Sequence, residues 1–100
     1  MASPRESLRI VIAASEAVPF SKTGGLADVA GALAKSLDQL GHDVTLILPD
    51  YFLLRQGQTN LPSIVDAGLR FSIPMNGRVV GGAVNWTTLP NSSVRVLLVR

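Results

Sequence analysis

The chain has 100 residues, 47% of them hydrophobic and 16% charged, with no cysteine and a net charge of +2. That balance excludes a disordered polymer and gives one domain, or part of one, with a packed core. Basic residues scattered without a run or aromatic interleaving argue against a nucleic-acid partner, and the lack of cysteine excludes disulfides and thiolate metal sites and fits a reducing compartment.

Residues 1–7 read as a short disordered lead-in, because they lack the apolar middle of a secretory signal. No apolar run is long enough to cross a bilayer, so no membrane partner is expected. Residues 8–14 are apolar apart from Arg9, with Ile and Val at the centre, which predicts a strand covered on both faces as in a parallel sheet. Pro19 and the Gly24–Gly25 pair make residues 15–25 a loop. From there Leu26, Val29, Ala30, Leu33, Leu37 and Leu40 recur at spacings of three and four, predicting one buried face of a helix roughly 22 Å long. Asp28 suits the first turn, and Gly41 is placed to end the helix in a left-handed conformation. Gly31 inside the helix costs about 1 kcal/mol relative to alanine. A close approach of helix and sheet and simple tolerance both account for it.

His42 and Asp43 lead into a second buried strand over 44–48, ended by Pro49, so strand, helix and strand form a βαβ unit. Residues 50–62 are a connection whose apolar patch at 51–54 reads as a helical turn. Leu69, Phe71, Ile73 and Met75 then alternate toward Asn76–Gly77, a strong hairpin signal. The returning strand runs over 78–89, with Gly81–Gly82 marking a bulge or bend. Residues 94–99 are a third buried strand ending beside Arg100, which predicts a fragment of a larger domain. The whole is an α/β layer that opens with βαβ and carries an inserted antiparallel hairpin.

The common chemical signatures are missing. There is no G-x-x-x-x-G-K-[ST] phosphate loop and no G-x-G-x-x-G. One histidine and no cysteine leave no zinc cluster. Ser15 lacks the setting of a nucleophile elbow. What remains is Lys22 with Thr23, Gly24 and Gly25, at the carboxyl end of a strand and the start of a helix. Exposed amides and the helix dipole there favour an anion, and ligands of open α/β sheets sit in that crevice. The competing reading is a solvated lysine on an ordinary turn. Glu16 leaves the strand toward the same crevice and could accept hydrogen bonds from sugar hydroxyls or serve as a cap. Asp28 reads as complementing the helix dipole and ordering the loop. His42 reads as structural, and Tyr51 and Trp86 as core or edge aromatics rather than sugar platforms.

The run Lys22-Thr23-Gly24-Gly25-Leu26-Ala27-Asp28-Val29, with Ala14-Ser15-Glu16 and Pro19-Phe20 before it, resembles bacterial glycogen synthases and plant starch synthases. Gly31-Ala32-Leu33, Lys35-Ser36-Leu37, Gly41-His42-Asp43-Val44 and Leu48-Pro49 extend the match in register, strongly over 10–51 and more loosely beyond. Ala34 departs from a proline common in the family.

The resemblance implies a retaining glycosyltransferase of the GT-B type, with two Rossmann-like domains around a cleft. Such enzymes move glucose from ADP-glucose (UDP-glucose in some relatives) to the non-reducing end of an α-1,4-glucan without a metal or other cofactor. Residues 8–100 would be part of the N-terminal, acceptor-side domain, with the nucleotide-binding C-terminal domain absent. Carried over, Lys22, Thr23, Gly24 and Gly25 would contact the donor diphosphate, and Glu16 would face the glucan. No catalytic residue is assigned, since the family's glutamate pair and a further histidine fall beyond Arg100. The chain alone is therefore expected not to turn over. Its compartment would be the cytoplasm in a bacterium or the plastid in a plant. The alternative is a non-catalytic, receiver-like α/β domain that binds a phosphorylated ligand through the same loop.

Overall fold

A computed structural model of the protein describes residues 7–20, 24–51 and 64–100. The lead-in other than Ser7, and the connection with its expected helical turn beyond Tyr51, lie outside the described residues. Among the described residues five strands, β1 (Arg9–Ala13), β2 (Asp43–Pro49), β3 (Val65–Met75), β4 (Arg78–Thr88) and β5 (Arg95–Val99), form one sheet in the order β1-β2-β5-β4-β3. Helix α1 (Gly25–Gln39) joins the first two. β1, β2 and β5 are mutually parallel, with Ile10 opposite Val44 and Leu46 opposite Val96. β4 runs antiparallel to β5 and to β3. The expected βαβ unit and hairpin are both present.

The period of two in each strand decides which side chains meet the helix. Val44, Leu46 and Leu48 of β2 and Val96 and Leu98 of β5 are buried with Ala30 and Ala34 of α1, and Ile10 and Ile12 pack at the edge of that cluster. Burying a leucine such as Leu46, fully excluded from solvent, stabilises the fold by about 1.5–3 kcal/mol. The other face carries Val11, Ile47, Leu97 and Val99. Val11 is 63% exposed there and the other three are half-buried. Coverage of β1 on both faces, expected from its apolar run, is thus not met among the described residues.

The helix has the expected period but a different buried side. Ala27, Ala30, Gly31 and Ala34 are buried, whereas Leu26, Val29, Leu33 and Leu40 are 43–61% exposed. Of the large residues on the predicted face only Leu37 packs against the core. Taking about 100° per residue, the buried side is turned by roughly a quarter turn from the leucine stripe. Small residues let a helix approach its neighbours closely, and that contact took precedence over side-chain size. At its end the helix stops as predicted. Gly41 has φ +95, its N–H donates to the Asp38 carbonyl (3.0 Å), and the His42 N–H donates to the Leu37 carbonyl (3.2 Å). This is a Schellman closure. His42 is structural, accepting the Leu8 N–H at Nδ1 (3.1 Å).

Asn76 and Gly77 turn the hairpin with φ of +50 and +75, the signs a two-residue type I′ turn requires. No bulge occurs at Gly81–Gly82, where the register runs on unbroken; the irregularity lies in β3, between Asp66 and Leu69. Gly82 is needed for space instead, since Phe71 pairs with it across the ladder and its ring covers the place a Cβ would occupy. At the β3 irregularity Asp66 accepts the Gly68 N–H (2.8 Å) and both Arg70 Nη groups (3.0 and 2.7 Å).

Candidate functional site

Parallel pairing puts the carboxyl ends of β1, β2 and β5 on one edge. The Ala14 N–H donates to the Ile47 carbonyl (3.0 Å) and the Asp50 N–H to the Val99 carbonyl (2.8 Å), which carries the ladder to that edge. The chain leaving β1 there is a packed segment rather than a free loop. Ala17 and Phe20 are 0% and 2% exposed within the core cluster. The Phe20 N–H closes a turn on the Ala17 carbonyl (2.9 Å), and the Val18 N–H donates to the Ala27 carbonyl of α1 (3.1 Å). The Val18–Pro19 peptide is cis.

Glu16 stands between β1 and this anchored segment and is 7% exposed. It has an interaction partner and lies at the rim of the core. Gly24 occupies the N-cap of α1 in an extended conformation and makes no side-chain cap hydrogen bond. The first-turn amides of a helix have no acceptor within the helix. Gly24 and Gly25 are exposed, and among the described residues no atom beyond their chain neighbours and the helix's own backbone lies within 4 Å of where a side chain on either would begin. With respect to the described residues, the space over these two is open, as an approaching anion requires. Lys22 and Thr23, the other two residues predicted to meet a diphosphate, lie outside the described residues.

Asp28 is exposed in the first turn of α1. It lines a cavity of about 230 Å³ together with Val18, Gly31, Ala32 and Lys35. The structure therefore brings Asp28 beside Val18 of the segment that follows Glu16. Among the described residues no three His, Asp or Glu side chains gather as a metal site would need.

Sequence reasoning passed over Asp50, treated only as the start of a connection. It follows β2 on the same carboxyl edge, and Asn85 of β4 donates to its Oδ2 (3.1 Å). Its place directly after the second parallel strand was the available signal, because the carboxyl edge of such strands is where ligands meet side chains. Neither Tyr51 (38% exposed) nor Trp86 (37% exposed) is in the core; Trp86 stands inside the sheet, between Val65 and Leu97.

A parallel βαβ unit with a glycine-capped helix start on its carboxyl edge defines an α/β protein of the class whose ligands commonly sit at that edge. The family model of the starch synthase catalytic domain matches residues 9–100, and the chain belongs to that family. The glycogen synthase of Syntrophotalea carbinolica is 56% identical over 54 residues, covering 54% of this chain and 11% of that protein. The glycogen synthase of Thermodesulfovibrio yellowstonii is 42% identical over 77 residues, covering 77% of this chain and 15% of its own length. Among solved structures, the catalytic domain of starch synthase IV from Arabidopsis thaliana, bound to ADP and acarbose, superposes with a TM-score of 0.74 at 25% identity. That match covers 93% of this chain and 18% of the plant protein. The chain thus spans between 11% and 18% of the length of these three relatives. The fold expected from the sequence, a Rossmann-like portion of a GT-B synthase, is the fold found. No helix among the described residues is long and apolar enough to cross a membrane.

Proposed function

We infer that this chain is the N-terminal, acceptor-side part of a glycogen or starch synthase. In that reading the whole enzyme transfers glucose from ADP-glucose to the non-reducing end of an α-1,4-glucan with retention. The observation that carries it is the family match over residues 9–100, joined to the open helix start at Gly24–Gly25. The plant neighbour's complex with ADP and acarbose supports an adenine nucleotide and a glucan-type ligand for the same fold.

The chemistry assigned to this part is electrostatic. As the glucosyl bond to the diphosphate breaks, negative charge builds on the leaving oxygen. Donors already in place stabilise that charge without reorganising. Lys22 supplies a cation, Thr23 a further donor, and the backbone at Gly24 and Gly25 approaches the phosphates because no side chain intervenes. Asp28 orders the loop, and Glu16 faces the acceptor glucan. The second Rossmann-like domain of the enzyme would hold the nucleotide. The absence of cysteine supports a reducing compartment, the cytoplasm of a bacterium or a plastid.

The test is glucose incorporation into glycogen by the polypeptide that carries this chain in full, with ADP-glucose and UDP-glucose compared as donors. Incorporation from ADP-glucose is expected, and none from either donor would overturn the reading.

A further inference from the structure

Glycine inside a helix is disfavoured against alanine by propensity alone, so Gly31 in the second turn of α1 calls for a contact that explains it. A Cβ at this position would lie 3.2 Å from the Val18 carbonyl oxygen and 3.8 Å from its nitrogen. The neighbour is thus the segment after β1, not the sheet. One turn earlier, the Ala27 carbonyl accepts the Val18 N–H at 3.1 Å. The main chain of Val18 therefore lies along a single turn of α1, hydrogen-bonded at one end and seated on bare backbone at the other. Ala17 and Phe20, both buried in the core, fix the segment on either side.

Two candidate groups of the site come from these two elements. Glu16 precedes Val18 by two residues, and the open amides at Gly24 and Gly25 begin the helix that Gly31 belongs to. Their separation is set by how deeply Val18 seats on α1. We propose that Gly31 is a positioning residue: its missing side chain fixes the distance between Glu16 and the N-terminus of α1. Its catalytic consequence rests on the glucosyl-transfer reading above, whereas its structural consequence does not.

An added methyl group must push Val18 outward by a few tenths of an ångström; a misplacement of about 1 Å in groups that position a substrate can cost about 10²-fold in rate, and this smaller shift costs correspondingly less. The test compares Gly31→Ala with Ser36→Ala in the whole polypeptide. Ser36 is an exposed helical position, so its replacement brings a gain in helix propensity without the loop contact. Gly31→Ala is expected to keep the wild-type Tm or exceed it, as Ser36→Ala does. Its kcat/KM for glucosyl transfer is expected to fall about tenfold, mostly in kcat. The amide resonances of Glu16, Gly24 and Gly25 should shift in Gly31→Ala and stay in place in Ser36→Ala. A purely structural glycine would instead lower Tm and leave the activity of the folded fraction intact.

Unshifted amides overturn the proposal, as does wild-type kcat/KM in a folded Gly31→Ala enzyme. Failure of Gly31→Ala to fold also overturns it, since the contact would then be a requirement of the fold. A wild-type polypeptide that transfers no glucose removes only the synthase reading, and the amide shifts then decide the positioning role.

Discussion

At the residue scale, three side chains or their absence make separable demands. Under the proposed function Lys22 carries the charge that meets the departing diphosphate. Removing one such donor costs about 10²- to 10³-fold in kcat. Lys22→Ala in the whole enzyme is expected to show that loss in glucose incorporation, with the protein still folded by circular dichroism. Gly41 answers to backbone geometry alone. With φ at +95, Gly41→Ala places a Cβ in the left-handed region and should destabilise by about 1 kcal/mol, measured by urea denaturation. Asp66 concerns the hairpin. Hydrogen bonds from the Arg70 guanidinium, then from the Gly68 amide, hold its carboxyl well below the ordinary value of 3.8. Because the folded value is the lower one, its contribution is present above the ordinary value and is lost as the pH falls through the folded one. Both partners are exposed, so the effect on stability is small and screened by salt. The Gly68 amide resonance should hold steady through pH 3.8 and move only on further acidification; movement centred on that value would show that the turn is not held.

At the scale of elements, α1 packs through its alanines. Ala34 is fully buried against the core cluster, while Leu33, next to it in sequence, is 47% exposed. Ala34→Leu should therefore destabilise the chain by about 1–3 kcal/mol through overpacking. Leu33→Ser should change the stability of the chain by itself by under about 0.5 kcal/mol. A larger loss for Leu33→Ser than for Ala34→Leu in thermal melts would show that the helix is turned the other way. The hairpin follows different physics. The alternation and the Asn76–Gly77 turn fixed its register, but the irregularity in β3 comes from Asp66 bonding to Gly68 and Arg70, and no pattern of apolar residues announces that. The two glycines thought to mark a bulge sit in a regular ladder, one of them under the Phe71 ring.

At the scale of the whole molecule, the sheet has one covered and one open face among the described residues. α1 and the segment after β1 cover the side with Val44, Leu46 and Leu98. The other side shows Val11, Trp86 and Val65, 37–63% exposed, beside the half-buried Ile47, Leu97 and Val99. So many exposed apolar side chains on one sheet face are uncommon on a self-sufficient monomer. The 100-residue chain expressed alone should bind an apolar fluorescent dye in its folded state and associate as its concentration rises. A monodisperse monomer without dye binding would contradict that picture of the sheet.

The amino-acid sequence determined the order of the elements, the βαβ unit, the hairpin turn and the close of α1, because each follows from local periodicity or from the φ that a glycine permits. It also carried the family, through the run from Lys22 to Val29. Tertiary structure alone decided which side of α1 faces the sheet, why Gly31 is there, and that the segment from Glu16 to Phe20 is packed rather than loose. These depend on which backbone comes within a few ångströms of another. Residues far apart in sequence, such as Val18 and Gly31, set that distance together, and a linear pattern holds no record of it.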